Sequence, residues 1–248
     1  MTAALTEVSD GTLLGGRVKL RQPVEGYRVA IDPVFLAAAV PAASGDRILD
    51  IGCGVGAASL CLAARVPECR VIGIEREREL VRLAVDNALT NGMSARFDAM
   101  TGDLLHPPPR LEAGFDHVMA NPPYLPAGSA TPPPVPARAA AHVEGAADLA
   151  AWIRFALMMV RNKGTITFVH RADRLEALLA ELNGRAGEIV IFPLWPAGEK
   201  PAKRVLVRAR KGVGTPTRLA RGLVLHEADG RFTAAADAVL REGQGLEL

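Results

Sequence analysis

Two short stretches of this 248-residue chain combine residue types that can do chemistry. The first is Asp50-Ile-Gly-Cys-Gly-Val-Gly56, between a short apolar run and a helical stretch of small residues. Glycines let a backbone turn sharply and approach a ligand closely. The helix N-terminus behind them favours negative charge and hydrogen-bond acceptors. Glu75 closes the next apolar run, where a carboxylate can accept hydrogen bonds from the two hydroxyls of a ribose. Asp50, Gly52, Gly54, Gly56 and Glu75 together suit an adenosine-containing cofactor. Gly52, Gly54 and Ala57, with Glu75 about 20 residues on, also fit a dinucleotide fingerprint, so the loop alone leaves the cofactor open. The second stretch is Asn121-Pro-Pro-Tyr124. Asn121 offers a side-chain carbonyl, Pro122 a free backbone carbonyl and Tyr124 a flat ring, on a turn that two prolines stiffen. Two acceptors can take both hydrogens of a planar –NH₂ group while the ring stacks on the system that bears it. Such an amine is a poor nucleophile, and holding it so that it pyramidalises frees its lone pair. That catalysis is positioning and electrostatics and needs no strong base.

These residues need a scaffold, and residues 46–210 read as alternating strands and helices. Strands are expected at Arg47–Ile51, Arg70–Glu75, weakly at 95–100, at Phe115–Ala120 and at 165–170. Helices are expected at Ala57–Arg65, around Leu80–Ala88 with Asn91-Gly92 as its stop, from Leu149 to a stop at Asn162-Lys-Gly164, and at 172–182. Runs at 189–195 and 204–210 leave little room for a helix between them and are expected to pair antiparallel. The pattern argues an α/β fold, a Rossmann-like doubly wound sheet of about seven strands with the last pair antiparallel. Residues 1–45 read as an N-terminal cap segment and 46–248 as one globular unit. The proline-rich stretches at 106–114 and 122–147 cannot be regular structure, and the second is placed to act as a substrate loop.

Hydrophobic residues make up 49% and charged residues 23%, which excludes a disordered chain or a coiled coil. Cys53, Cys61 and Cys69 are an odd set with no C-x-x-C pair, so no disulfide framework and no metal site is expected, and reduced thiols point to the cytoplasm. The histidines show no metal-binding spacing. No apolar run is long enough for a membrane span. The net charge is only +2, yet residues 199–221 hold eight basic residues, Lys203, Arg204 and Arg208 among them, against Glu199 alone. Such a local excess suits a polyanionic partner. The apolar run at 222–225 is a candidate interface, although the oligomeric state stays open.

The compact G-x-G-x-G with Asp50 inside it resembles the S-adenosylmethionine loop of class I methyltransferases. N-P-P-Y after the expected fourth strand resembles the signature of methyltransferases that act on adenine N6, cytosine N4 or a glutamine amide. It favours S-adenosylmethionine over a dinucleotide and makes Asn121, Pro122 and Tyr124 the catalytic candidates. With Gln22…Gly26-Tyr-Arg28…Asp32 and the basic segment 198–211, residues 11–240 are similar to the bacterial tRNA1(Val) adenine-37 N6-methyltransferases. The resemblance implies that the glycine loop wraps the methionine end of the cofactor and that Glu75 holds its ribose. It further implies that Asp103, in Thr101-Gly-Asp-Leu104, meets the adenine amino group, and that the Tyr27–Asp32 neighbourhood lies beside the cofactor and helps close the site, with Asp32 as a cofactor contact and Arg28 beside it.

A tRNA adenine is therefore the expected substrate, with Arg28, Lys203, Arg204 and Arg208 as RNA contacts. A duplex DNA substrate would need a target-recognition region that no segment provides. A release-factor glutamine methyltransferase shares N-P-P-Y but normally carries a separate N-terminal helical domain. A non-catalytic RNA-binding module would have no use for the cofactor loop.

Overall fold

The computed structural model describes residues 7–25, 28–124 and 147–248. Its centre is a sheet whose middle strands are mostly apolar on both faces, as burial under two helical layers demands. Seven long strands build it: β3 (Arg47–Ile51), β4 (Arg70–Glu75), β5 (Phe97–Thr101), β6 (Phe115–Ala120), β7 (Val160–Arg171), β8 (Ala186–Trp195) and β9 (Arg204–Lys211). Two-residue strands β10 (Arg218–Leu219) and β11 (Leu223–Val224) pair parallel with β8. The order is β10-β8-β9-β7-β6-β3-β4-β5, with β9 antiparallel to both β7 and β8 and the rest parallel.

The chain runs outward from β3 to β4 and β5, then returns to place β6 on the other side of β3. Strand order therefore reverses between β3 and β6, and a crevice opens at their carboxyl ends. Ile51 pairs with Ala120 in register, so Gly52 and Asn121 are next-door exits from the sheet. Glu75 pairs with Thr101, which brings Asp103 to the same edge.

Helices α1 (Asp32–Ala39), α2 (Ala57–Arg65), α3 (Arg78–Thr90) and α6 (Ala234–Leu240) contribute to the hydrophobic cluster that holds Ile48, Val71 and Leu206. Helices α4 (Leu149–Met159) and α5 (Leu175–Leu182) share a cluster with Leu49, Ile51, Ile74 and Val207, on the opposite face of the same strands. Asp148 caps α4, its carboxylate accepting from the Ala151 N–H at 2.8 Å.

A hairpin of β1 (Val8–Leu13) and β2 (Val18–Pro23) precedes α1 and stands apart from the main sheet. Asn87 of α3 and Asn91, which caps its end, dock it. Asn91 accepts from the Lys19 N–H at 2.8 Å and donates to the Lys19 carbonyl at 2.7 Å. Asn87 does the same for Arg21, at 2.8 and 2.9 Å, and also donates to the Val55 carbonyl at 3.0 Å. Hairpin, helix and glycine loop are thus tied by one buried side chain.

Three expectations are corrected. The Asn162-Lys-Gly164 signal does not stop the helix, which ends at Met159. It forms a bulge within β7, where Val160 pairs with Phe115 and the register resumes only at His117↔Thr165. Lys163 there has φ +62°, and a Cβ on Gly164 would sit 2.7 Å from the Asp116 carbonyl oxygen. The run at 222–225 is not a free apolar face, because Leu223 and Val224 pair with β8 and Leu225 is buried. The basic segment does not present one charged face. Arg204 pairs with Asp32 at 3.0 Å, Arg210 with Glu188 at 3.0 Å, and Lys211 donates to the Val160 carbonyl at 3.0 Å. Half-buried Arg208 donates to the Leu248 carbonyl.

Candidate active site

A cavity of about 550 Å³ fills the crevice beyond β3, β4 and β6. Asp50, Gly52, Gly54, Glu75, Asp103, Asn121, Pro122 and Tyr124 all line it, with Leu36, Ile74, Leu80 and Trp152 among its apolar walls. Four separate segments of sequence thus meet at one opening. Asp32, Gly56, Arg28, Lys203, Arg204 and Arg208 do not line it, and each has a different place.

Gly56 caps α2 with φ +85°, and a Cβ on it would lie 2.6 Å from the Phe97 ring. Its role is close packing rather than ligand contact. Gly54, at φ +55°, is the opposite case. No described atom lies within 4 Å of where its Cβ would be, so its open side is space for a ligand. Gly52 is packed against Trp152, whose ring would sit 2.5 Å from a Cβ there. The Trp152 indole N–H is buried without a hydrogen-bond partner among the described residues.

The acidic residues are held firmly. Asp50 is fully buried, and desolvation pushes its carboxyl up to about 7, helped by the charge of Glu75. The Ser59 hydroxyl donates to it at 2.7 Å and opposes that rise. Burial raises the Glu75 carboxyl too, while backbone N–H groups of Glu77 at 3.0 Å and Gly54 at 3.1 Å hold its charged form. Glu75 thereby braces the loop that forms the cavity floor. Asp103 sits at the rim, accepting from the Leu105 N–H at 2.9 Å, with His106 Nδ1 at 3.4 Å.

At the far wall, the Tyr124 oxygen is 2.6 Å from both Asp32 Oδ2 and Asn121 Oδ1. The Arg204 guanidinium lies over the Tyr124 ring, 4.3 Å from its centroid. His170 meets the same ring edge-on at 5.6 Å. Burial, with Arg174 and Arg204 nearby, lowers the His170 imidazole to about 4, so it is neutral at pH 7. Asp32 thus stands behind Tyr124 instead of facing the cavity, and Arg204 serves the same cluster rather than open solvent. Arg28 is exposed at the mouth, between the lining residues Glu25 and Val29. Lys203 is exposed and Arg208 is tied to Leu248. Gln22 is buried and accepts from the Val29 N–H at 2.9 Å. Tyr27 and the proline-rich loop expected after Tyr124 lie outside the described residues, apart from the loop's ends.

Ser59 and Asn87 carry no motif. Ser59 is the lone polar residue among the small and apolar residues that open α2, which is a signal, whereas Asn87 follows Asp86 in a helix rich in charge and carries none.

A doubly wound sheet with a glycine loop after β3, an acidic end to β4 and N-P-P-Y after β6 defines a class I methyltransferase. The Methyltransferase small domain family matches residues 29–169, and the chain belongs to it. It is 28% identical over 211 residues to the tRNA1(Val) (adenine(37)-N6)-methyltransferase of Aeromonas hydrophila, covering 83% of this chain and 85% of that one. It is 38% identical over 80 residues to the release factor glutamine methyltransferase of Deinococcus radiodurans, covering 32% of this chain and 27% of that one. The crystal structure of a predicted O-methyltransferase from Agrobacterium tumefaciens superposes with a TM-score of 0.72 at 26% identity, covering 87% and 98% of the two chains.

The cofactor of this class is S-adenosylmethionine, and the cavity suits it. Gly54 leaves a cradle that a Cβ would fill, Glu75 offers a carboxylate for vicinal hydroxyls, and two acidic groups favour a cation. Among the described helices, none is long and apolar enough to cross a membrane.

Proposed function

We propose that this methyltransferase modifies the exocyclic amine of an adenine in tRNA. One observation carries the reading. Asn121 and Pro122 leave β6 beside the glycine loop and open into the same cavity as Glu75. A planar amine held there faces the position where a cofactor's reactive end would lie. Glu75 holds the ribose, Asp103 the adenine edge, and Asp50 with Gly52 and Gly54 the charged end. Bound S-adenosylmethionine supplies an electrophilic methyl group. The chain's own part is to hold both amine hydrogens at Asn121 and Pro122, which turns the nitrogen lone pair outward. Tyr124 closes the wall beside them, and the apolar lining excludes water.

The long alignment with the Aeromonas enzyme supports a nucleic-acid substrate. The match to the glutamine methyltransferase spans only 80 residues. Exposed Lys203 and Arg28 are the proposed phosphate contacts, and the compartment that supplies tRNA is the cytoplasm. The test offers tritium-labelled S-adenosylmethionine with unfractionated tRNA and, separately, with a protein extract. Label recovered from tRNA as N6-methyladenosine is the expected result. Label in protein alone replaces this reading with the glutamine one.

A further inference from the structure

Asp32 and Asn121 compete for a single phenolic hydrogen. The Tyr124 oxygen is 2.6 Å from an oxygen of each, and a phenol can donate to only one. Asp32 is buried and ion-paired with Arg204, whose Nε lies 3.0 Å from the same Oδ2. It is the charged and therefore the stronger acceptor. With the hydrogen committed there, Tyr124 and an Asn121 oxygen would face each other with lone pairs alone. Half a turn of the carboxamide puts its –NH₂ in that place, and the phenolic oxygen accepts from it. Oxygen and nitrogen of a carboxamide are nearly equal in shape, so the hydrogen-bond network decides between them.

We propose that Asp32 and Tyr124 are positioning residues that fix the Asn121 carboxamide with its nitrogen toward Tyr124 and its oxygen toward the cavity. The proposal deepens the amine-methyltransferase reading and rests on it. The orientation is chemically consequential. An oxygen facing the amine accepts its N–H and frees the lone pair. An –NH₂ group facing the amine would donate to that lone pair and block transfer. Tyr124 then acts through its hydroxyl, which a purely stacking ring does not need. One ring face is already occupied by Arg204.

Tyr124→Phe separates these roles, because it keeps the ring and removes the hydroxyl. With unfractionated tRNA as acceptor, kcat is expected to fall about ten- to a hundredfold while KM and cofactor Kd stay within about twofold. A kcat within twofold of wild type overturns the proposal. Asp32→Asn, which still accepts from the phenol, is expected to recover most of the turnover lost in Asp32→Ala. Equal losses in the two variants assign Asp32 a merely structural role and also overturn it. A second readout is independent of turnover. The chain has five asparagines, Asn87, Asn91, Asn121, Asn162 and Asn183, so selective ¹⁵N labelling gives five side-chain pairs. Asn121→Asp identifies the relevant pair. It is expected shifted and protected from exchange in wild type, and at the free-amide position in Tyr124→Phe. A wild-type pair already at the free-amide position overturns the proposal. A held amide in a protein that methylates no amine supports the orientation and refutes the functional reading instead.

Discussion

Asp50→Asn should make the ligand-free protein more stable at pH 8 and leave it unchanged near pH 4. Asp50 is fully buried, and its carboxyl is raised from 3.8 to about 7. A raised carboxyl means that the folded state prefers the protonated form. Below pH 4 both folded and unfolded chains hold that proton, and folding bears no penalty. Between pH 4 and 7 the unfolded chain releases it while the folded one retains it, so stability falls as pH rises. Above pH 7 the full cost of burying the charge is present. About three units at 1.36 kcal/mol each amount to roughly 4 kcal/mol. Asparagine carries no charge, keeps the shape and still accepts from Ser59, so it escapes that cost. For a chain of this size the difference corresponds to a rise of about 8–16 °C in Tm at pH 8. Thermal melts of both proteins from pH 4 to 8, without cofactor, measure it. A Tm gap that does not grow with pH refutes the assignment of Asp50 as the strained charge. The variant should at the same time bind S-adenosylmethionine more weakly at pH 8 by calorimetry, since a cationic ligand is what the buried charge would serve.

Asn121→Ala is expected to reduce turnover about 10²–10³-fold, while calorimetric affinity for S-adenosylmethionine stays within about threefold. Equal loss of both would move Asn121 into cofactor binding. Gly54→Ala and Gly56→Ala should diverge. Both incur about 1–2 kcal/mol for a left-handed backbone, but only Gly56→Ala also drives a methyl into Phe97. Cofactor affinity should therefore fall most for Gly54→Ala and Tm most for Gly56→Ala, and the reverse order would invert their roles. Lys203→Glu should weaken tRNA binding and flatten its salt dependence, whereas Arg208→Ala should lower Tm and leave the salt slope intact. A changed salt slope in the second variant would return Arg208 to the RNA surface.

Strand positions were readable because buried parallel strands are short apolar runs with turn residues after them, and Arg47–Ile51 and Phe115–Ala120 fall where the pattern put them. The turn at Asn162-Lys-Gly164 was equally visible but ambiguous, since the same residues stop a helix or bulge a strand. Only its pairing with β6 decides. The β1–β2 hairpin shows only a short alternation, Val18, Leu20 and Gln22 buried against exposed Lys19 and Arg21, and its docking left no sequence signal. Its edge is completed by the side chains of Asn87 and Asn91, across 66 and 72 residues of sequence, and no local period records that.

The site shows the same division. Cavity-lining residues could be named because their types are unusual: three glycines in a row of alternates, two prolines after an asparagine, an acid ending a strand. What the supporting residues do was not legible. The resemblance places Asp32 beside the cofactor and the charge count makes Arg204 an RNA contact, yet both converge on Tyr124, 92 and 80 positions away. A charge count placed Arg204 and Arg208 on an RNA surface because it treats every cation as solvated. Alternation along β9 puts Arg204, Arg208 and Arg210 on the face with Leu206, which α1 covers, and there each engages a partner within the chain. The charge available to a polyanion is thus smaller than the sequence total. On the proposed tRNA reading, phosphate contacts from this run fall to its exposed cations, Lys200, Lys203, Arg218 and Arg221.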